Sequence, residues 1–207
     1  GARDILVGDN AEVFISAANI VTSFESTDLS DATGGADVIL GSDANTYALG
    51  GTGADQITTG SGIDSILGDH GKVTYNADGS LSKAESKLSD QGGDDVIVAG
   101  DGNNLIIAGM ANDNVTSGTG VDIIIGDSGE AIADGVGLLR EIRTTNLGDG
   151  GNDTIVAGSG GNTVLAGQGA DNITSTTAAG TRDILVGDNG EVFISAANIV
   201  TSFESTD

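Results

Sequence analysis

Oxygen-bearing side chains recur in this sequence at a fixed interval. In the run GGDDVIVAGDGNNLIIAGMANDNVTSGTGVDIIIGD, Gly92 to Asp127, the residues Asp95, Asn104, Asp113 and Asp122 stand nine apart. Each follows a glycine-rich loop and precedes a short apolar run. Carboxylate and amide oxygens on a periodic backbone, interleaved with carbonyl-rich loops, suit a hard cation. The 31 acidic against 7 basic residues, a formal charge of -24, argue in the same direction and against nucleic acid or an anionic membrane as partner. A merely solvated acidic surface would scatter its carboxylates instead of placing them on a grid. Other chemistry finds no support. No H-E-x-x-H, G-x-S-x-G or P-loop pattern occurs, and His70 has no second histidine or cysteine with which to bind zinc. The glycine loops precede no helix, as a phosphate cradle would. His70 is expected in an exposed turn, and the only helical signal, Ser82 to Leu88, is too short to nucleate one.

The elements that must hold this grid are short. Ile97, Ile106, Val115 and Ile124 centre the apolar runs, so one inward apolar side chain arrives per nine residues, the pattern of a solenoid. With 38% hydrophobic and 3% aromatic residues, small repeated cores suit the composition better than one large core. Cysteine and proline are absent, and no apolar run is long enough to span a bilayer.

The nonapeptides GGTGADQIT (Gly50 to Thr58), TGSGIDSIL (Thr59 to Leu67), SGTGVDIII (Ser117 to Ile125) and AGQGADNIT (Ala166 to Thr174) resemble the RTX, or hemolysin-type, calcium-binding repeat G-G-x-G-x-D-x-U-x. The resemblance implies an all-β fold, a right-handed parallel β-roll in which two sheets of short strands are joined by turns that hold several Ca2+ ions. It also implies a protein exported from bacteria, by type I secretion, to the cell surface or the extracellular medium.

In such a roll each strand is a half-coil and turns alternate between two edges. One edge then receives Asp37, Asp55, Asp95, Asp113, Asp153 and Asp171; the other receives Asp4, Thr46, Asp64, Asn104, Asp122, Asn162 and Asp183. The resemblance carries the metal-ligand role onto these positions other than Asp4 and Thr46, with Thr46 departing furthest from the motif. Partners lie eighteen residues apart. Pairs Asp37 with Asp55, Asp95 with Asp113 and Asp153 with Asp171 are expected to be the tightest sites, because Asn104 with Asp122 and Asn162 with Asp183 carry one charge fewer.

Equivalent Asp4, Asp64, Asp122 and Asp183 are spaced by 60, 58 and 61 residues, so the solenoid, 1–207, divides into blocks 4–63, 64–121, 122–182 and a partial block 183–207. Each opens with a strand and Gly-Asp, placing Asp9, Asp69, Asp127 and Asp188 at the entrances of inserts spanning about 9–33, 69–91 and 127–149. A double glycine follows each insert. The entrance acids are candidate further ligands at the insert base. For the exit acids Asp31, Asp90 and Asp149, a metal site and solvated turn carboxylates are equally compatible with the sequence. Asn76-Ala77-Asp78-Gly79 and Ala133-Asp134-Gly135 lie between extended runs and predict β-hairpins, one every two coils. A hairpin is two strands wide and two coils advance the roll by the same two strand spacings, roughly 9.6 Å. Residues near 10–27, 70–87, 128–145 and 189–206 are therefore expected to pair side by side into a third sheet.

Residues 1–28 recur as 180–207 with only Ala2/Thr181 and Ala11/Gly190 changed, as expected for a window of a longer tandem array. The reading is a calcium-dependent structural segment and not an enzyme. Its expected partners are neighbouring repeats and other copies of the chain, without nucleic acid or membrane insertion. Two alternatives stand beside it: an export and folding module of a secreted hydrolase or toxin, and an ice-binding or ligand-binding roll. The block-scale duplication favours the array.

Overall fold

The computed structural model describes residues 2–27, 34–88, 90–176 and 178–206, and every element assigned there is a strand. Three sheets account for all of them. The first roll sheet orders β1 (Arg3–Val7), β5 (Asn45–Leu49), β7 (Ser65–Leu67), β11 (Leu105–Ile107), β13 (Ile123–Ile125), β17 (Thr163–Leu165) and β19 (Ile184–Val186), all parallel. The second roll sheet orders β4 (Val38–Leu40), β6 (Gln56–Thr58), β10 (Val96–Val98), β12 (Asn114–Thr116), β16 (Thr154–Ala157) and β18 (Asn172–Ser175), again parallel. Through the middle of the roll in-register partners are eighteen residues apart within a block and forty across an insert, as Ile106 is from Ile124 and from Ile66, while the first insert makes the step forty-two and the longer turn before β19 makes it twenty-one. An insert therefore bulges out of the roll without breaking its register.

The inserts are hairpins, and they form the third sheet. Its antiparallel order is β2 (Ala11–Ile15), β3 (Val21–Ser26), β8 (Gly71–Tyr75), β9 (Leu81–Ser86), β14 (Gly129–Ala133), β15 (Leu139–Thr144), β20 (Gly190–Ile194) and β21 (Val200–Ser205). Successive hairpins are stitched together where β3 meets β8, β9 meets β14 and β15 meets β20. Gly79 and Gly137 turn two of the hairpins at φ 88° and 79°. In the first and last, which lack the Asp-Gly signal, Asn19 and Asn198 take φ 60° and 56° in the same role, as asparagine tolerates better than other side chains. The segment Ser82 to Leu88 contributes most of β9.

This third sheet lies on the outer face of the first roll sheet and gives the protein a second core. Ile39, Ile57, Ile66, Ile97, Ile106, Val115, Ile124, Ile155 and Val164 fill the roll itself. Leu49, Leu67, Ile107, Ile125 and Leu165 point the other way, against Phe24, Val73, Ala84, Ala131, Ile142 and Val192 of the cover. The first roll sheet is thus buried on both faces, while the second keeps an uncovered outer face where Val38 and Leu40 are exposed. His70 departs from the expectation of an exposed turn. It is 2% exposed, closed in where the second hairpin leaves the roll, with its Nε2 3.0 Å from Thr52 Oγ1.

Lys72, Lys83, Lys87, Arg140 and Arg143 all lie in or beside the cover sheet, and all five tie hairpin to hairpin or fix one within itself through acids. Lys72 Nζ and Lys87 Nζ reach Glu25 across the first seam at 3.0 and 2.5 Å. Buried Glu130 joins Lys83, at 2.7 Å across the second seam, to Arg143 of its own hairpin. Scarce positive charge is spent where neighbouring strands must be held in register.

Candidate metal centre

Each grid residue sits immediately before its strand or within its first residues, and its side chain turns back under the preceding glycine loop. One oxygen has a structural task. On the insert-bearing edge, Asp55 Oδ1 accepts the Asp37 N–H at 2.7 Å, Asp95 Oδ1 accepts that of Asp55 at 2.8 Å, and Asp113 Oδ1 that of Asp95 at 2.8 Å. Asp153 and Asp171 continue the ladder, accepting from Asp113 and Asp153. The opposite edge repeats it: Asp64 accepts from Thr46, Asn104 from Asp64, Asp122 from Asn104, Asn162 from Asp122 and Asp183 from Asn162. The eighteen-residue partnership continues across the inserts as a forty-residue step.

The second oxygen makes the edge a candidate cation site. Oδ2 of Asp55, Asp64, Asp95, Asp113, Asp122, Asp153 and Asp171 is buried and has no hydrogen-bond partner. Desolvating a carboxylate oxygen without a donor is costly. Backbone oxygens converge on the same places. A Cβ built on Gly50 would meet Asp55 Oδ2 and Gly68 O, both at 2.3 Å; on Gly68, Asp95 Oδ2 at 2.2 Å and Ala108 O at 2.3 Å; on Gly126, Asp153 Oδ2 at 2.3 Å and Ala166 O at 2.4 Å. Gly8 stands likewise toward Asp37 Oδ2 and Gly50 O. These glycines are required by the oxygens packed against them. Among the described residues no three histidine, cysteine or acidic side chains converge on one point. That fits a hard cation drawing most of its six to eight oxygens from carbonyls.

A profile of the RTX calcium-binding nonapeptide repeat matches the chain in four copies, over residues 49–72, 90–124 and 147–176. These are RTX calcium-binding repeats. Compared with curated proteins, the chain has no match. The orphaned Oδ2 atoms and the carbonyls over Gly50, Gly68 and Gly126 are the donors a Ca2+ ion would find in this RTX roll, and the ion would supply the positive charge they lack.

The entrance acids are engaged differently. Asp69 accepts the Gly93 N–H on Oδ1 at 3.1 Å and the Met110 N–H on Oδ2 at 2.5 Å. Asp127 accepts from Gly151 at 3.0 Å and from Gln168, and Asp9 Oδ2 accepts the Thr52 N–H at 2.6 Å. They pin each insert's entrance to its exit and to the next coil. This explains the first glycine of each pair, since a Cβ on Gly34, Gly92 or Gly150 would lie 2.1, 1.9 or 2.1 Å from the Oδ2 of Asp9, Asp69 or Asp127. Asp188, the fourth of the set, is exposed. Of the exit acids, Asp90 is exposed and Asp149 half-buried, while Asp31 lies outside the described residues. Sequence reasoning did not isolate the carbonyls of Gly68, Ala108 and Ala166, whose signal was the invariant small residue two positions after each strand's centre.

Burial pushes the carboxyls of Asp55 and Asp153 up to about 7 and that of Asp95 up to about 8, with neighbouring carboxylates adding to the rise and backbone N–H donors opposing it. Asp113 is raised well above the ordinary carboxylate range for the same reasons. Without metal, the folded chain therefore holds protons that the unfolded chain, titrating near 3.8, has released. Stability of the metal-free fold must fall as pH rises through the window from about 4 to about 8. Thermal melts in chelator should show an unfolding temperature that drops steadily from pH 5 to pH 8. A temperature that is constant or rises across that window would contradict the burial of these carboxylates.

Proposed function

We propose that this chain is a calcium-hardened structural segment, a stalk, filament or spacer, of a large secreted or cell-surface bacterial protein, unfolded during export and folding on meeting extracellular calcium. The observation that carries this reading is the pair of unbroken ladders of buried acidic and amide residues along the roll. They require cations at intervals along its length, and the cover sheet stiffens the same length from outside. The near-identity of residues 1–28 and 180–207 and the recurrence of the same block between them support a tandem architecture. Neighbouring repeats, and other copies of the chain, are the partners this arrangement suits; the dense negative charge disfavours nucleic acid.

A segment with this task must bear load only when calcium is present. Stretched from its two ends in a single-molecule force measurement, the chain should resist extension and rupture in discrete steps in millimolar calcium, and extend smoothly in chelator. Smooth extension in both would remove the mechanical reading.

A further inference from the structure

The two edges of the roll differ in a way that charge counting alone does not show. On the edge without inserts, every second coil carries a neutral donor in place of a carboxylate: Thr46, then Asn104, then Asn162, alternating with Asp64, Asp122 and Asp183. The amide orientation of the asparagines is fixed from behind. Asn104 Oδ1 accepts the Asp64 N–H at 3.1 Å and Asn162 Oδ1 accepts the Asp122 N–H at 3.0 Å, so in each case Nδ2 must face the turn. There Asn104 Nδ2 donates to Gly100 O at 3.2 Å and Gly102 O at 3.3 Å, and Asn162 Nδ2 donates to Gly158 O at 2.9 Å. Thr46 Oγ1 does the same on a smaller scale, donating to Ala44 O at 3.2 Å.

These are the carbonyls two and four residues before the grid position. In the intervening coils the corresponding carbonyls are those of Gly60 and Gly62 before Asp64, and of Gly118 and Gly120 before Asp122. There Asp64 and Asp122 make the same ladder bond through Oδ1, so Oδ2 takes the place of the asparagine Nδ2, buried and without a partner on residues with 0% exposure. Burial raises both carboxyls, although the Thr59 and Ser117 hydroxyls and the backbone N–H donors temper the effect. An oxygen facing carbonyl oxygens needs a cation between them. An N–H or O–H facing the same carbonyls satisfies them outright and occupies the position a cation would take.

We propose that Asn104, Asn162 and Thr46 are built-in replacements for calcium. Their donors latch alternate turns of this edge shut without metal, so that only the Asp64 and Asp122 type of turn takes an ion there. The insert-bearing edge, with carboxylates in every coil, takes ions throughout. The roll then has one edge that depends wholly on calcium and one that keeps half its turns closed in its absence. This rests on the calcium-dependent reading above and adds the distribution of ions along the chain.

The test counts calcium bound per chain by equilibrium dialysis at pH 8, and records thermal unfolding in saturating calcium at pH 8 and in chelator at pH 6, where the metal-free fold is more stable than at pH 8, for the full chain and its variants. Asn104→Asp keeps the acceptor for the Asp64 N–H and replaces the latch by an oxygen. It should bind one more ion than the parent and melt lower than the parent in chelator. Asp122→Asn, the reverse change, should bind one ion fewer and melt higher than the parent in chelator. Asn104→Ala should lower the melting temperature by similar amounts in both conditions and leave the calcium count unchanged. An unchanged count in Asn104→Asp, or a count lowered by Asn104→Ala, would overturn the proposal, since the asparagine would then be a ligand itself. A parent chain that binds no calcium at all would instead overturn the calcium-dependent reading, a distinct result.

Discussion

Chelating calcium at pH 8 should convert the protein from a β-rich fold to an unfolded chain, read as loss of the β-sheet circular dichroism signal and its return on adding calcium. The expectation follows from magnitudes. A domain of this size has a net stability of about 5–15 kcal/mol. An uncompensated buried carboxylate costs on the order of several kcal/mol, and at pH 8 the carboxyls of Asp55 and Asp153, raised to about 7, and of Asp95, raised to about 8, are within or above their titration range with Oδ2 atoms that have no partner. A handful of such charges outweighs the whole of that stability. Both cores are built mainly from Ile, Val, Leu and Ala, and the cations of the cover sheet's ion pairs are 23–41% exposed, where a pair typically contributes less than about 1 kcal/mol. Calcium reverses the balance site by site, each ion at a hundredfold its dissociation constant adding about 2.7 kcal/mol. A β-rich spectrum that survives chelation at pH 8 would show that the neutral turns and the cover sheet suffice alone.

The sequence made the roll legible because its period is set by covalent spacing. Nine residues make one turn and one strand, so the positions of Asp95, Asn104, Asp113 and Asp122, their alternation between edges and the pairing of Ile97 with Val115 all follow from counting. The third sheet was legible for the same reason, since hairpin width and two-coil advance are both multiples of one strand spacing. What counting did not disclose is which way the cover would fold. Leu49, Leu67, Ile107, Ile125 and Leu165 occupy the third strand position of every second nonapeptide, and their equivalents in the second roll sheet include Thr58, Thr116 and Thr174. That asymmetry marks the doubly buried sheet, but it shows only when alternate repeats are compared with each other. His70 was misplaced because its ring closes against Thr52 of the preceding coil, a contact between turns that spacing does not carry. The donor roles of Thr46, Asn104 and Asn162 depend on side-chain direction within a turn, which spacing does not carry.

The cover sheet also supplies a matched pair of sites that isolates tertiary packing from local sequence. The hexapeptide VTSFES occurs as β3 and again as β21, each the second strand of a hairpin whose first strand reads EVFI. In β3, Phe24 is 1% exposed; in β21, Phe203 is 64% exposed. The difference lies in what faces them. Phe24 meets Tyr47 of β5 edge-on at 5.9 Å between ring centroids and stacks on Tyr75 of β8 at 6.5 Å, and those two tyrosines are themselves edge-to-face at 5.3 Å. One ring from each of two hairpins and one from the roll therefore close the first seam. Truncating Phe24 to alanine opens a cavity there and should cost about 3–5 kcal/mol. The same truncation of Phe203 removes a side chain already in solvent and should stay within about 0.5 kcal/mol. Denaturant unfolding in saturating calcium compares the two with secondary-structure propensity held constant. Losses of equal size would mean that the phenylalanine acts through its own strand, and that the aromatic seam does not hold the hairpins to the roll.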